Sequence, residues 1–115
     1  MNEPDPCALT ITWADRTIPA TLNHPWVRNV LSIRGISGKQ PDLLMLAFGA
    51  GAYTIDDVER VLELGLIGAG MPEREVEQLL DAHVRRRPIG ENARSAADLL
   101  AALYFGKPVN VDASA

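Results

Sequence analysis

The sequence predicts a mostly helical α+β fold, in which an N-terminal β-hairpin is followed by about five short helices packed as a small bundle. Two segments near the N-terminus alternate apolar and polar residues, which is typical of half-buried strands. Farther along, apolar residues recur at helical spacing, and Pro or Gly residues separate the periodic segments. The 115 residues fit one domain. We place a disordered N-terminus at 1–8, a single domain at 9–106 and a flexible tail at 107–115. Within the domain, we place the hairpin at 9–22 and the helices at about 25–34, 41–48, 55–67, 72–87 and 91–105.

The hairpin is indicated by the register that its turn would impose. A two-residue turn at Ala14-Asp15 pairs Ile11 with Ile18, so that like residues face each other across the strands. Pro19 has no N–H to donate, which indicates that the second strand is an edge strand.

Proline residues mark the start of three predicted helices. Pro25, Pro41 and Pro72 each fit a first helical position, where the missing N–H costs nothing. His24 is expected to cap the first helix, and glycines end the first two helices.

The third helix has the clearest boundaries. Thr54 is a good N-cap, and Asp57 places an acid in the first turn, where it suits the helix dipole. Gly68 and Gly70 end this helix, and Gly65 on its apolar face would let another backbone approach closely.

The last two helices also carry end signals. The run Arg85 to Arg87 suits the C-terminal end of the fourth helix, and Pro88 stops that helix. The fifth helix has an Ala/Leu stripe and ends at Gly106.

The composition excludes several classes of function. A net charge of −4 and a pI near 5.0 argue against nucleic-acid binding, which depends on clustered Lys and Arg. Cys7 is the only cysteine, which excludes an internal disulfide and a cysteine-based metal site and suits a reducing compartment. The longest apolar stretch, residues 43–48, is too short to span a membrane. We therefore expect a cytoplasmic protein with no membrane contact.

No residue pattern indicates a catalytic, cofactor-binding or metal-binding site. His24 and His83 are the only histidines, and neither has a second ligand at metal-binding spacing. Asp56 and Asp57 are adjacent, and adjacent helical residues do not face each other. The sequence therefore predicts a non-enzymatic protein that needs no cofactor.

The turn between the third and fourth helices has two functional interpretations to consider, a phosphate-binding loop and the turn of a helix-turn-helix. The glycines of GLIGAG close a helix, whereas a phosphate-binding loop follows a strand and opens a helix. A helix-turn-helix would place the start of the fourth helix against DNA, where Glu73 and Glu75 would be repelled by phosphates. DNA binding remains an alternative hypothesis.

The positive indication of a binding function is the segment Leu43 to Phe48, which is apolar on every side. Full burial of such a helix is difficult in a domain this small, so one side of it is expected to contact a partner. We predict Leu43, Leu44, Met45 and Phe48 as partner-binding residues. A helix buried entirely in the core explains the same pattern.

Four segments, taken in order, resemble one protein family. They are the hairpin ALTITWADRTIPATL, a helix ending in Gly, the capped helix YTIDDVERVLELGLIGAG and the last helix AADLLAALYFG. Their order and spacing resemble the small phage tail assembly chaperones of gene transfer agents and related tailed phages, some of which are described as tail tube proteins. The likeness covers residues 8–106, and GLIGAG is its most specific element. The first helix departs from the family, because Trp26, Val27 and Arg28 stand where members favour small residues and Glu.

The resemblance implies a non-enzymatic chaperone that holds the tape-measure protein while tail-tube subunits polymerise around it in the bacterial cytoplasm. The expected partners are the tape-measure protein and/or the tail-tube protein. We expect binding to neither nucleic acid nor membrane. Association of the chain with copies of itself is an open alternative. The alternative is a structural component of the tail, either tube or completion protein, which would remain in the finished particle.

Overall fold

A computed structural model of the protein describes residues 5–13 and 16–106. A two-stranded hairpin followed by five helices confirms the predicted mostly helical α+β fold. The described residues form a compact body of 36 × 31 × 29 Å. The elements are β1 (Leu9–Trp13), β2 (Arg16–Ala20), α1 (Pro25–Ile33), α2 (Pro41–Ala50), α3 (Ile55–Gly68), α4 (Glu73–Leu80), a short π-helical segment (Asp81–Arg85) and α5 (Gly90–Phe105).

The hairpin has the register that the sequence predicts. Ile11 pairs with Ile18, and both side chains are buried, so one face of the two strands packs on the helices. Pro19 pairs with Thr10 on the exposed face, in a sheet of two strands where each strand is an edge. The predicted turn at Ala14-Asp15 lies outside the described residues.

The core is built around α3, which packs against β2, α1, α4 and α5. The reason is its wide apolar stripe, which repeats at helical spacing and faces the other elements. Burial of each Val or Leu side chain contributes roughly 1.5–3 kcal/mol to folding. The fully buried apolar side chains of α3 are Val58, Val61, Leu62, Leu64 and Leu66.

The ends of the helices follow the expected cap chemistry. Thr54 and Asp57 form a reciprocal capping box at the start of α3, as the sequence indicates. His24 caps α1 by accepting a hydrogen bond from the backbone N–H of Trp26 at 3.1 Å. α2 extends to Ala50, and Gly51 then adopts a left-handed conformation at φ 73°.

The predicted helix at 72–87 is divided in the structure. The α-helical hydrogen-bond pattern of α4 stops at Leu80, and Asp81–Arg85 is wound as a π-helix. The wider turn precedes Pro88, which has no N–H to continue an α-helical ladder.

The segment just before β1 makes contacts with the rest of the fold. Asp5 accepts a hydrogen bond from the Thr21 hydroxyl at 2.7 Å, and the Cys7 side chain is buried. Residues 1–4 and the predicted tail at 107–115 lie outside the described residues.

Candidate partner-binding surface

Large apolar side chains are exposed on one set of elements. In residues 5–13 and 16–106, none of the large exposed apolar side chains lies on the hairpin, on α4 or on the π-helical segment. Their concentration on the other helices is typical of a surface that a partner covers. We call this set the apolar surface: Trp26 and Ile33 on α1, Leu43 and Leu46 on α2, Ile55 at the start of α3, and Tyr104 and Phe105 at the end of α5.

The predicted partner-binding residues of α2 lie at different depths. Leu43 is 56% exposed, whereas Leu44 is 0% exposed and belongs to the core. Met45 and Phe48 are half-buried, and the Phe48 ring stacks on Tyr53 with 5.0 Å between centroids. The helix therefore combines both interpretations, since one side is core and the other is open to a partner.

Leu46 is a residue that the sequence interpretation missed. It is 70% exposed and lies three residues after Leu43, so the two side chains share one face of α2. The three-residue spacing indicates that Leu43 and Leu46 share a face, but the sequence of a helix that is apolar on every side does not reveal which face is outward.

A groove of about 360 Å³ lies at the start of α2, where three helices meet. α1, the start of α2 and the end of α5 each supply part of its wall. The mixture of apolar and polar side chains suits an amphipathic segment of a partner. The lining residues are Arg28, Leu31, Ser32, Gln40, Pro41, Leu103 and Tyr104.

Tyr104 connects the groove with the start of α2. Burial raises the pKa of the Tyr104 hydroxyl, and the nearby negative charge of Asp42 raises the pKa further. Like any tyrosine hydroxyl at neutral pH, it can donate a hydrogen bond at the groove wall.

An ion pair between the half-buried Lys39 and the buried Asp57 holds the loop between α1 and α2, next to the groove. Lys39 Nζ donates to both carboxylate oxygens of Asp57, at 2.9 and 3.0 Å. Burial alone would raise the pKa of Asp57, but the hydrogen bonds from Lys39 and Thr54 outweigh it and hold the pKa below its usual value. The charged pair thus fixes the start of α2 relative to α3.

A second set of contacts fixes the groove from the other side. Asp5 accepts hydrogen bonds from Thr21 and from the side chain of Asn23, and Asn23 in turn accepts from Arg28 at 3.0 Å. Cys7 Sγ lies 3.8 Å from the carbonyl oxygen of Leu103. The start of the described chain is therefore packed against α1 and the end of α5.

The comparison with known families decides what kind of protein this is. A family model described as phage tail tube protein, GTA-gp10, matches residues 7–106, which is almost all of the described chain. The chain belongs to this family of phage tail assembly chaperones. It is a non-enzymatic family. The comparisons with curated proteins and with solved structures gave no match.

The structure explains the glycines of GLIGAG in this tail assembly chaperone. A Cβ atom on Gly68 would lie 2.0 Å from the backbone carbonyl oxygen of Thr21. The N–H of Thr21 donates to the carbonyl of Gly65 at 2.9 Å, which holds the two backbones together. The sequence predicted a close backbone approach at Gly65, and the closest approach is one turn later, at Gly68.

Both histidines of the chaperone have structural contacts. His24 caps α1, and the His83 ring stacks on Trp13 with 5.2 Å between centroids. Within residues 5–13 and 16–106, no group of three or more His, Cys, Asp or Glu side chains is placed to hold a metal ion. In the same part of the chain, no helix is long and apolar enough to cross a membrane.

Proposed function

We propose that the protein binds the tape-measure protein and/or the tail-tube protein reversibly during tail assembly, in the cytoplasm of the bacterial host. The observation that supports this most is the exposed pair Leu43 and Leu46, one turn apart on α2, whose first residues line a groove. Family membership supports the assembly role, and the exposed leucines suggest which surface performs it.

The physical reason for such a chaperone is the apolar surface of an unassembled partner. A long helical protein with an apolar stripe aggregates unless the stripe is covered until the tube encloses it. A helix laid on α2 and the groove would bury its stripe against Leu43, Leu46 and Tyr104. Because such contacts are reversible, the growing tube can replace them.

The binding surface can be tested with matched carboxylate substitutions. Co-expression with the tape-measure and tail-tube proteins of the same particle, followed by affinity capture, measures binding. We expect Leu46→Asp to weaken capture by about tenfold or more, since it places a charge in an apolar contact. Gln78→Asp introduces the same group on an exposed position of α4 and should leave capture unchanged. Equal capture by both variants would contradict the proposed surface.

Leu44→Asp serves as a control for folding. The Leu44 side chain is fully buried, so an aspartate there would place an unpaired charge in the core. We expect this variant to unfold, with loss of the cooperative circular dichroism transition, whereas Leu46→Asp keeps it.

A retained tail component is the second candidate, because the family model is itself described as a tail tube protein. The two candidates differ in what the finished particle contains. Under our proposal, purified particles hold no stoichiometric amount of this chain by quantitative mass spectrometry. Stoichiometric retention would favour the structural role instead.

A further inference from the structure

The two edges of the hairpin differ in what they offer to another strand. In an antiparallel pair, directly opposed residues alternate between hydrogen-bonded and non-hydrogen-bonded pairs. Pro19 has no N–H, so its pair with Thr10 is of the non-hydrogen-bonded kind. Two residues along, the pair of Thr12 with Thr17 is of the same kind. The N–H and C=O groups of Thr10 and Thr12 therefore point away from β2, toward the free edge of β1.

That edge of β1 has no partner in the part of the chain that the structure describes. Apart from the hairpin itself, Thr10 and Thr12 take part in no backbone hydrogen bond of residues 5–13 and 16–106. Both residues are exposed, and β1 contains neither a charge nor a proline that would discourage pairing. On the opposite edge, Pro19 removes an outward N–H of β2. The edge of β1 is thus the one that can accept a further strand.

A cleft of about 380 Å³ lies beside the same edge. Its wall includes Thr12 and Trp13 of β1 and no residue of β2, which places it on the β1 side of the hairpin. The first turns of α5 supply another part of the wall, with the buried Asn92 and the half-buried Ser95. Since successive side chains of a strand point to opposite faces, a strand added to β1 would direct a side chain into this cleft.

The charges in the cleft favour an uncharged side chain. Arg87 and Glu91 both line it, and they pair with each other at 3.0 Å. A charged side chain that entered the cleft would lose water and find both of these charges already paired. A small apolar or hydroxyl side chain would instead meet the Trp13 ring and the Ser95 hydroxyl.

We propose that the free edge of β1 binds an extended, uncharged segment of the tail protein that the chaperone holds. The segment adds a third strand, whose backbone exchanges hydrogen bonds with Thr10 and Thr12 while one of its side chains occupies the cleft. The proposal rests on the proposed function. It adds a second contact, made by backbone groups and separate from the apolar surface.

A second copy of β1 does not fit this edge. α5 packs against β1, where the Trp13 indole donates to Asn92 at 2.7 Å. Paired strands lie about 4.8 Å apart, whereas packed helices need about 8–10 Å between their axes. Pairing of β1 with β1 of a second copy would therefore bring the two α5 helices too close together. A single extended segment brings no helix with it, which makes it the occupant that the edge can accommodate.

The first test uses a capped peptide of about eight residues that alternates Val and Thr, and the same peptide with N-methyl groups along its central residues. In the free protein, hydrogen exchange followed by NMR should be slow at Ile11, which has a hydrogen-bonded pair in Ile18, and fast at Thr10 and Thr12. A saturating concentration of the unmodified peptide should slow exchange at Thr10 and Thr12 by about tenfold or more. The N-methylated peptide cannot donate to the edge and should leave both rates unchanged.

Two proline substitutions on opposite edges assign the binding to β1. Thr12→Pro removes an outward N–H and no hydrogen bond of the hairpin, so the fold should persist, as circular dichroism can verify. It should weaken peptide binding and the capture of tail proteins by about fivefold or more. Thr17→Pro makes the same change on the edge of β2 and should leave both unchanged. Equal loss in the two variants, or undiminished capture by Thr12→Pro, would overturn the proposal.

The comparison of the two peptides uses only the native protein, so it decides the matter even if Thr12→Pro unfolds. Equal effects of the two peptides on Thr10 and Thr12 would contradict strand addition. A dimer of the free protein that Thr12→Pro dissociates, measured by sedimentation, would place a second copy on the edge and overturn the proposal as well.

Failure of this inference is distinguishable from failure of the proposed function. If Leu46→Asp abolishes capture while the peptide leaves Thr10 and Thr12 unprotected, the edge inference fails and the proposed function stands. If the native protein captures no tail protein, the proposed function fails, and with it the assignment of the segment to a tail protein.

Discussion

At Gly68 the backbone of the connector after β2 approaches α3 so closely that only a hydrogen atom fits between them. The carbonyl oxygen of Thr21 occupies the space where a Cβ atom would be, at 2.0 Å, and the hydrogen bond from Thr21 to Gly65 prevents the connector from moving away. One residue without a side chain therefore fixes how the hairpin packs on the central helix.

Replacing Gly68 with Ala should destabilise the protein. The new methyl group meets backbone rather than a flexible side chain, so we expect a loss of about 1–3 kcal/mol in the free energy of unfolding. Urea denaturation followed by circular dichroism measures it. Gly49→Ala is the matched control, because nothing lies within 4 Å of its Cβ position in α2. That control should be neutral or stabilising by up to about 1 kcal/mol, and equal losses in both variants would contradict the argument.

Local signals in the sequence predicted the residues whose partners are close in the chain. Thr54 and Asp57 were identified as cap and first-turn acid from their spacing alone, and the structure shows their capping box. The ion pair of Asp57 with Lys39 was not predicted, because the two residues are 18 positions apart and meet only in the folded chain. Leu44 and Leu46 likewise needed the packing of α2 before one could be assigned to core and the other to surface.

At the scale of elements, two consecutive hydrogen bonds through Asn92 join the hairpin, the π-helical segment and α5. The indole N–H of Trp13 donates to Asn92 Oδ1 at 2.7 Å, and Asn92 Nδ2 donates to the carbonyl of His83 at 2.8 Å. That carbonyl has no π-helical partner, because the residue five positions later is Pro88, which lacks an N–H. The buried asparagine therefore replaces a missing backbone donor.

Asn92→Ala should break this connection and leave the buried indole N–H of Trp13 and the partly buried carbonyl of His83 without partners. We expect a loss of about 2–4 kcal/mol in the free energy of unfolding, since each such group costs about 1–3 kcal/mol. Urea denaturation followed by Trp fluorescence measures the loss. Asn29→Ala, at an exposed position of α1, should change stability by less than about 0.5 kcal/mol. A comparable effect of the two substitutions would show that the asparagine bridge contributes little.

The division of the fourth predicted helix also shows where sequence patterns stop being informative. Apolar residues at Val76, Leu79, Leu80 and Val84 keep helical spacing across the change to π-helix, so the pattern predicts one continuous helix. The change to π-helix depends on Pro88 together with Asn92, whose side chain donates a hydrogen bond to the carbonyl of His83, nine residues earlier in the sequence.

At the scale of the whole molecule, α1 and α2 have exposed apolar side chains and no ion pair among the described residues, whereas α4 and the π-helical segment have ion pairs and no large exposed apolar side chain; α3 and α5 have both. The α4 side is held by charged contacts such as Arg85, which bonds Glu59 of α3 and Glu77 of α4. The exposed apolar side chains lie on α1, α2 and the ends of α3 and α5. Ion pairs at the surface contribute little to stability, at most about 1 kcal/mol each, but they keep that side polar and free of apolar contacts. A partner that covers apolar area is therefore expected to avoid α4 and the π-helical segment.

Hydrogen exchange should show this asymmetry when the captured tail protein is bound. Backbone amides of α1, α2 and the C-terminal turn of α5 should exchange more slowly in the complex, because docking stabilises elements whose exposed faces it covers. Amides of α4 and of the π-helical segment should exchange at the rate of the free protein. Mass spectrometry of peptic fragments resolves these elements. Slowed exchange concentrated on α4 would place the partner on the ion-paired side and contradict the apolar surface.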